Sequence, residues 1–194
     1  MALLLGLSDY AAVCDESSSS GLGDWLFQRL AFPEVPDNTG EFRMRFFPAH
    51  DRRRAVFERL AALRGDGIDG FLDAVIARYR LDQAGMVGLT SMFGQNVASF
   101  ALARRLKEKV PGLVTAMGGA NCESPMGEEI VRHVPAIDYV FSGPALLSFP
   151  RLVECHLEGD REGTERIPGV FTRANCRPDA PPGVVQPLTR GGRM

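Results

Sequence analysis

The spacing of three short polar turns constrains the fold more than any other feature of this chain. They read Leu89-Thr90-Ser91-Met92-Phe93, Met117-Gly118-Gly119-Ala120-Asn121 and Phe141-Ser142-Gly143-Pro144. Each follows an apolar run and precedes a stretch with a helical pattern. Thr90 and Gly118 lie 28 positions apart, and Gly118 and Ser142 lie 24 apart. A strand, its return helix and the next parallel strand need about 30 residues, so the period predicts repeated βαβ units. Turns at the carboxyl ends of such strands gather on one edge of the sheet, where ligands bind. The expected class is therefore α/β: a parallel sheet with flanking helices, preceded by a helical N-terminal segment.

The rest of the chain punctuates this pattern. Residues 1 to 32 read as helix, broken by a flexible link at Ser17-Ser18-Ser19-Ser20-Gly21. Leu26, Phe27 and Leu30 share a face there, and Pro33 and Pro36 end the segment. Residues 33–50 read as loop. Arg52 to Leu63 returns to helical period with Val56, Leu60 and Leu63 as its stripe. Gly65 to Gly70 reads as a break before a helix carrying Phe71, Leu72, Val75 and Tyr79. Met86 to Leu89 reads as a buried strand. The helix opening near Asn96 should turn Phe100, Ala103 and Leu106 to the sheet, and Pro111-Gly112 stops it. Leu113–Met117 and Ile137–Phe141 are the next strands. Ser124-Pro125 reads as an N-cap and first-turn proline between them, for a helix ending near His133. A last helix runs from Ser148 to about Leu157. From Gly159 the chain turns charged and loose, and residues 174–194 are expected to be disordered.

Composition narrows the functional classes. A hydrophobic content of 45% allows a core, and a net charge of -2 gives no reason to expect nucleic acid. No stretch approaches the roughly 20 apolar residues of a membrane span, and Met1–Leu7 lacks the basic lead of a signal peptide; a cytoplasmic location is expected. Cys14, Cys122, Cys155 and Cys176 are scattered, without a CxxC pair, which excludes a closely spaced zinc or iron–sulfur site. Cys122 alone sits inside a site turn. There is no GxGxxG and no GxxxxGK[ST], so neither a dinucleotide fingerprint nor a P-loop is present. His50, His133 and His156 are isolated. Glu128-Glu129 suits the positive end of a helix.

Within the turns, two explanations stand side by side. Gly118-Gly119 lets backbone approach a ligand, or simply makes a tight turn. Thr90 and Ser91 bind a ligand, or cap the next helix. Asn121 and Gln95 pair with amides, or brace the loop.

The ordered stretches Val87–Ser99, Ala101–Lys107, Met117–Glu123, Met126-Gly127, Ile137–Gly143, Ser148–Val153 and Ile167–Val170 resemble the cobalamin (B12)-binding domain of radical SAM enzymes that mature ribosomally made peptides. Gly23–Phe27 is similar to a segment this family carries upstream. The resemblance covers roughly residues 9–173. It implies a Rossmann-like, flavodoxin-like domain over residues 81–160, after a helical segment over 1–80 and before an extension over 161–194. It places Thr90, Ser91, Met92, Gly118, Gly119, Ala120, Asn121, Ser142 and Gly143 around cobalamin. Small turns leave room for a corrin ring, and hydroxyls and amides suit its amide arms. No Asp-x-His-x-x-Gly is present, so the resemblance implies base-off cobalamin without a protein histidine on cobalt.

Three departures accompany it. The family's first, central strand is expected to be missing, leaving an open edge. The Cx3Cx2C cluster motif is absent, so SAM and a [4Fe–4S] cluster belong to a full-length relative or a separate radical SAM chain acting on a precursor peptide. The family's acid after Ser-Gly is replaced by Pro144, which weakens the third turn. The expectation is a cobalamin-binding domain or truncated member of a B12-dependent peptide C-methylation system, not catalytic alone. The alternatives are a noncatalytic accessory or interaction protein that lost the cofactor, and a module for another small molecule.

Overall fold

The computed structural model describes residues 5–64 and 66–176. The expected disorder of 177–194 lies outside the described residues, as does Gly65. The chain divides into two compact units, a helical one within Met1–Ala84 and Phe93–Pro111 and a sheet unit within Gly85–Met92 and Gly112–Met194.

The helical unit contains α1 (Leu7–Ser20), α2 (Leu22–Ala31), α3 (Thr39–Phe46), α4 (Arg54–Leu63), α5 (Asp66–Tyr79) and α6 (Asn96–Lys109). The serine run is not a flexible link: it forms the last turn of α1. Ser17 and Ser20 donate to the carbonyls of Val13 and Glu16, four residues back, so their hydroxyls are satisfied inside the helix. The helix ends instead at Gly21, in the left-handed region at φ 72°.

Residues 39–46 are helical, not loop. No strong amphipathic stripe announces α3; its one buried residue is Phe42. That ring stacks on Trp25 at 5.0 Å, and Trp25 and Phe47 lie 4.9 and 5.0 Å from Phe57. The α4 stripe accordingly runs through Phe57 and Leu60, while Val56 and Leu63 are only half-buried.

Arg64, nearly buried, ties these helices together. It donates to the Trp25 carbonyl at 2.9 Å, to Thr39 Oγ1 at 2.7 Å, to Gln28 Oε1 at 2.5 Å and to Asp37. The expected break before the next helix is shorter than the sequence suggests, because α5 already begins at Asp66. Its buried stripe is Ile68, Leu72 and Ile76, and Tyr79 is exposed. The buried face of α6 carries Phe100, Ala103 and Leu106, and the Phe100 ring meets Phe32 edge-on at 6.0 Å.

The sheet unit carries β1 (Met86–Thr90), β2 (Val114–Gly118), β3 (Tyr139–Phe141) and β4 (Val170–Phe171) in the order β1-β2-β3-β4. The first three are parallel, as the turn period predicts. The fourth is antiparallel to β3, so the sheet is mostly parallel rather than wholly so. Helix α7 (Met126–His133) packs on one face, where Gly127 meets the Phe171 ring. Helix α8 (Ser148–Glu158) covers the other, placing Leu152 and Cys155 against Ala116, Phe141 and Val170.

Residues 159–176 are ordered, against the expectation of a loose tail. Asp160 caps α9 (Arg161–Glu165) by accepting from Gly163 N at 2.8 Å. Arg173 donates to the carbonyls of Val134, Pro135 and Ile137. Asn175 Oδ1 accepts from Thr172 N at 2.8 Å. Strand β1 is not a buried strand: among its residues only Val87 is buried, and Gly88 and Thr90 are exposed. It is the outer strand of the sheet among the described residues.

Candidate functional site

The three turns meet at the carboxyl edge of β1, β2 and β3, and two interlocks hold them. The first joins turns one and two. Ser91 is fully buried; its N–H donates to Gly118 O at 2.8 Å, extending the β1–β2 ladder by one bond. Its carbonyl accepts from Asn121 N at 3.3 Å, and its Oγ accepts from Asn121 Nδ2 at 3.0 Å. This approach requires glycine at 119. Gly119 has φ 107°, and a Cβ there would collide with Ser91 O and sit 3.0 Å from Ser91 N. The missing side chain thus makes room for the chain's own backbone. Gly118 differs: its Cβ would meet only Phe141 Cβ, at 3.6 Å.

The second interlock was not visible in the sequence. Glu123, just past the second turn, reaches the third. Its Oε2 accepts from Ser142 Oγ at 3.1 Å and its Oε1 from Gly143 N at 3.1 Å. Ser142 Oγ in turn accepts from Ser124 N at 3.2 Å. Gly143 has φ 84°, a conformation glycine enters cheaply. A carboxylate therefore does sit on the third turn, supplied by Glu123 where Pro144 cannot supply one. The only sequence signal was an acid within reach of a glycine turn, a signal shared by many surface residues.

Ser124-Pro125 does not cap α7 in the expected way. The helix begins after Pro125 without a side-chain cap, and Ser124 Oγ donates to Glu128 Oε1 at 2.8 Å. Cys122 is fully buried, and burial, with the nearby Glu123 charge, pushes its thiol up to about 11. It is a core thiol at neutral pH, not a nucleophile.

The nine candidate residues thus separate into two layers. Ser91 and Ser142 are buried and engaged with the chain itself, and Gly118, Asn121 and Gly143 are half-buried beside them. Thr90, Met92, Gly119 and Ala120 are exposed above. Apolar side chains follow each turn: Met92 is 49% exposed, Met126 52%, Leu146 84% and Leu147 75%. No histidine occurs in the turns; His133 and His156 lie near the far ends of the helices that leave the second and third turns. Among the described residues no group of three or more His, Cys, Asp or Glu is placed to hold a metal ion, and no helix is long and apolar enough to cross a membrane. Comparison with known proteins finds no matching family model, no matching curated protein and no matching solved structure.

Proposed function

We propose that this edge is a corrinoid platform, and that the chain is a Rossmann-like cobalamin-binding domain of a B12-dependent radical SAM peptide-maturation system. The carrying observation is the layering of the turns. Thr90, Gly119 and Ala120 form an exposed floor of small residues, while the buried Ser91 and Ser142 and the half-buried Asn121 are locked by hydrogen bonds, Ser142 to the exposed Glu123. A floor fixed before binding loses little conformational entropy on binding.

The residues present fit a broad, flat ligand with amide arms. Ala120 keeps the exposed floor small, the Thr90 hydroxyl is both donor and acceptor, and Met92, Met126 and Leu146 offer apolar contact around them. No histidine stands in the turns that would hold the group. When bound, cobalamin supplies methyl-group carriage. SAM, the [4Fe–4S] cluster and the precursor peptide belong to a separate chain in the same cytoplasmic system.

A second reading is favoured by a specific observation: the space at Gly119 is used by Ser91, and Leu146 and Leu147 are broadly exposed. Under it the chain is an accessory protein that docks a partner through this edge. Titration with hydroxocobalamin, followed by absorbance and calorimetry, separates the two. The platform reading expects saturable, base-off binding that Ala120→Trp weakens at least about tenfold, while the far-ultraviolet spectrum stays unchanged. A folded chain that takes up no cobalamin overturns it in favour of the accessory reading.

A further inference from the structure

The outer edge of β1 presents a strand-pairing surface made of backbone groups. Val114 N donates to Gly85 O and Ser91 N donates to Gly118 O, with Met86 to Thr90 in parallel register against Val114 to Gly118. Because backbone groups alternate along a strand, Gly85, Val87, Leu89 and Ser91 face β2. The N–H and C=O groups of Met86, Gly88 and Thr90 therefore face the opposite way, off the edge of the sheet. Gly88 and Thr90 are exposed, and a Cβ at Gly88 would find nothing within 4 Å.

Edge strands of this kind are normally protected by lysine, proline, a bulge or an inward charge. None occurs in Met86–Thr90, and no charged residue lies between Asp82 and Arg104.

We propose that β1 pairs antiparallel with β1 of a second copy of this chain, about a two-fold axis through Gly88, joining two four-stranded sheets into one. Self-complementarity favours this occupant. The three outward residues are spaced evenly about Gly88, so the axis sets Gly88 opposite its own copy and Met86 opposite Thr90. Those are the hydrogen-bonded pairs of an antiparallel ladder, and they exchange up to about six bonds. Gly88 at the centre adds no side chain between the strands, and the uncharged run brings no like charges together across the axis. A two-fold contact of this sort closes on itself and stops at two copies. The inference does not require cobalamin, because it rests on the backbone of β1, at Thr90 on its N–H and C=O and not on its hydroxyl.

The test is the mass of the full chain across a concentration series, by sedimentation or light scattering, with backbone amide exchange on the same samples. The expected result is a mass that rises to twice that of one chain, with the Gly88 and Thr90 amides slowing in step. Gly88→Pro removes an N–H that faces away from β2, leaves the internal ladder intact, and should hold the chain at one copy with an unchanged far-ultraviolet spectrum. Gly88→Asp should do the same by setting two carboxylates face to face. A wild-type chain that remains single at every concentration overturns the proposal, and so does a dimer that persists in both folded variants. Should both variants unfold, exchange in the wild type decides: a dimer with fast Gly88 exchange overturns the pairing, and a protected one supports it.

Discussion

The helical unit and the sheet unit are held by different means. In the helical unit large side chains do the holding: Trp25, Phe42, Phe47 and Phe57 stack on one another, and Arg64 lies over the Trp25 ring at 4.2 Å while its donors reach Gln28, Asp37 and Thr39. At the turns of the sheet unit, backbone packs on backbone. Gly119 lies against Ser91, and Gly127 lies against the Cys122 carbonyl with the Phe171 ring 2.9 Å from where a Cβ would stand. A side-chain core fails when atoms are removed, because a cavity remains. A backbone contact fails when one atom is added, because neither partner can turn away. The two units should therefore respond oppositely to truncation and to enlargement.

Five substitutions test that contrast. The largest expected effect is Phe57→Ala, which empties a fully buried site among the rings of Trp25, Phe42 and Phe47 and should cost about 4 kcal/mol in denaturant unfolding. Next is Gly119→Ala, one methyl group, expected to cost about 3 kcal/mol through overpacking and left-handed strain; Gly118→Ala beside it should change stability by less than about 1 kcal/mol. A harmless Gly119→Ala would break the comparison. Third, Arg64→Lys keeps the charge but loses the planar fork that reaches the Trp25 carbonyl, Thr39 and Gln28, and should cost about 2 kcal/mol. Amide exchange in α3 should quicken most, since that helix is tied down through Thr39.

The smallest effect is electrostatic. Hydrogen bonds from Arg105, then Lys109, hold the Asp73 carboxyl down at about 2, from an ordinary 3.8. A carboxyl depressed in the fold contributes stability above its unfolded value and loses it as pH falls towards its folded value. Asp73→Asn should thus lower stability modestly above about pH 4, since the pair is partly exposed to solvent, and flatten the acid limb between about pH 4 and pH 2 by the same amount, the two proteins converging at lower pH. An acid limb identical to that of the wild type would show that the ion pair contributes nothing.

Much of the sheet was legible because its signal is local. Apolar runs ending in small polar turns mark β1, β2 and β3, and the intervals between them admit only a crossover connection. Elements whose stability comes from distant residues were not legible. Helix α3 depends on Phe42 stacking with Trp25 and on Arg64 bonding to Asp37 and Thr39 from more than twenty positions away. Strand β4 is only two residues long and exists through pairing with β3. At the candidate site, the residue types were readable but not their allegiance. Ser91, Asn121 and Ser142 were readable as polar turn residues but not as partners of neighbouring segments, and Glu123, the carboxylate that bonds the third turn, carried only a signal shared by many surface residues.

The sequence by itself determined the parallel order of β1 to β3 and the meeting of three small turns at one edge, because hydrophobic period and turn chemistry act between near neighbours. Only the tertiary structure decided which of those turn residues serve the fold and which face outward. The Gly119 conformation, the Glu123 bridge and the bare outer edge of β1 all depend on what stands beside them in space, and that is set by packing between segments distant along the chain.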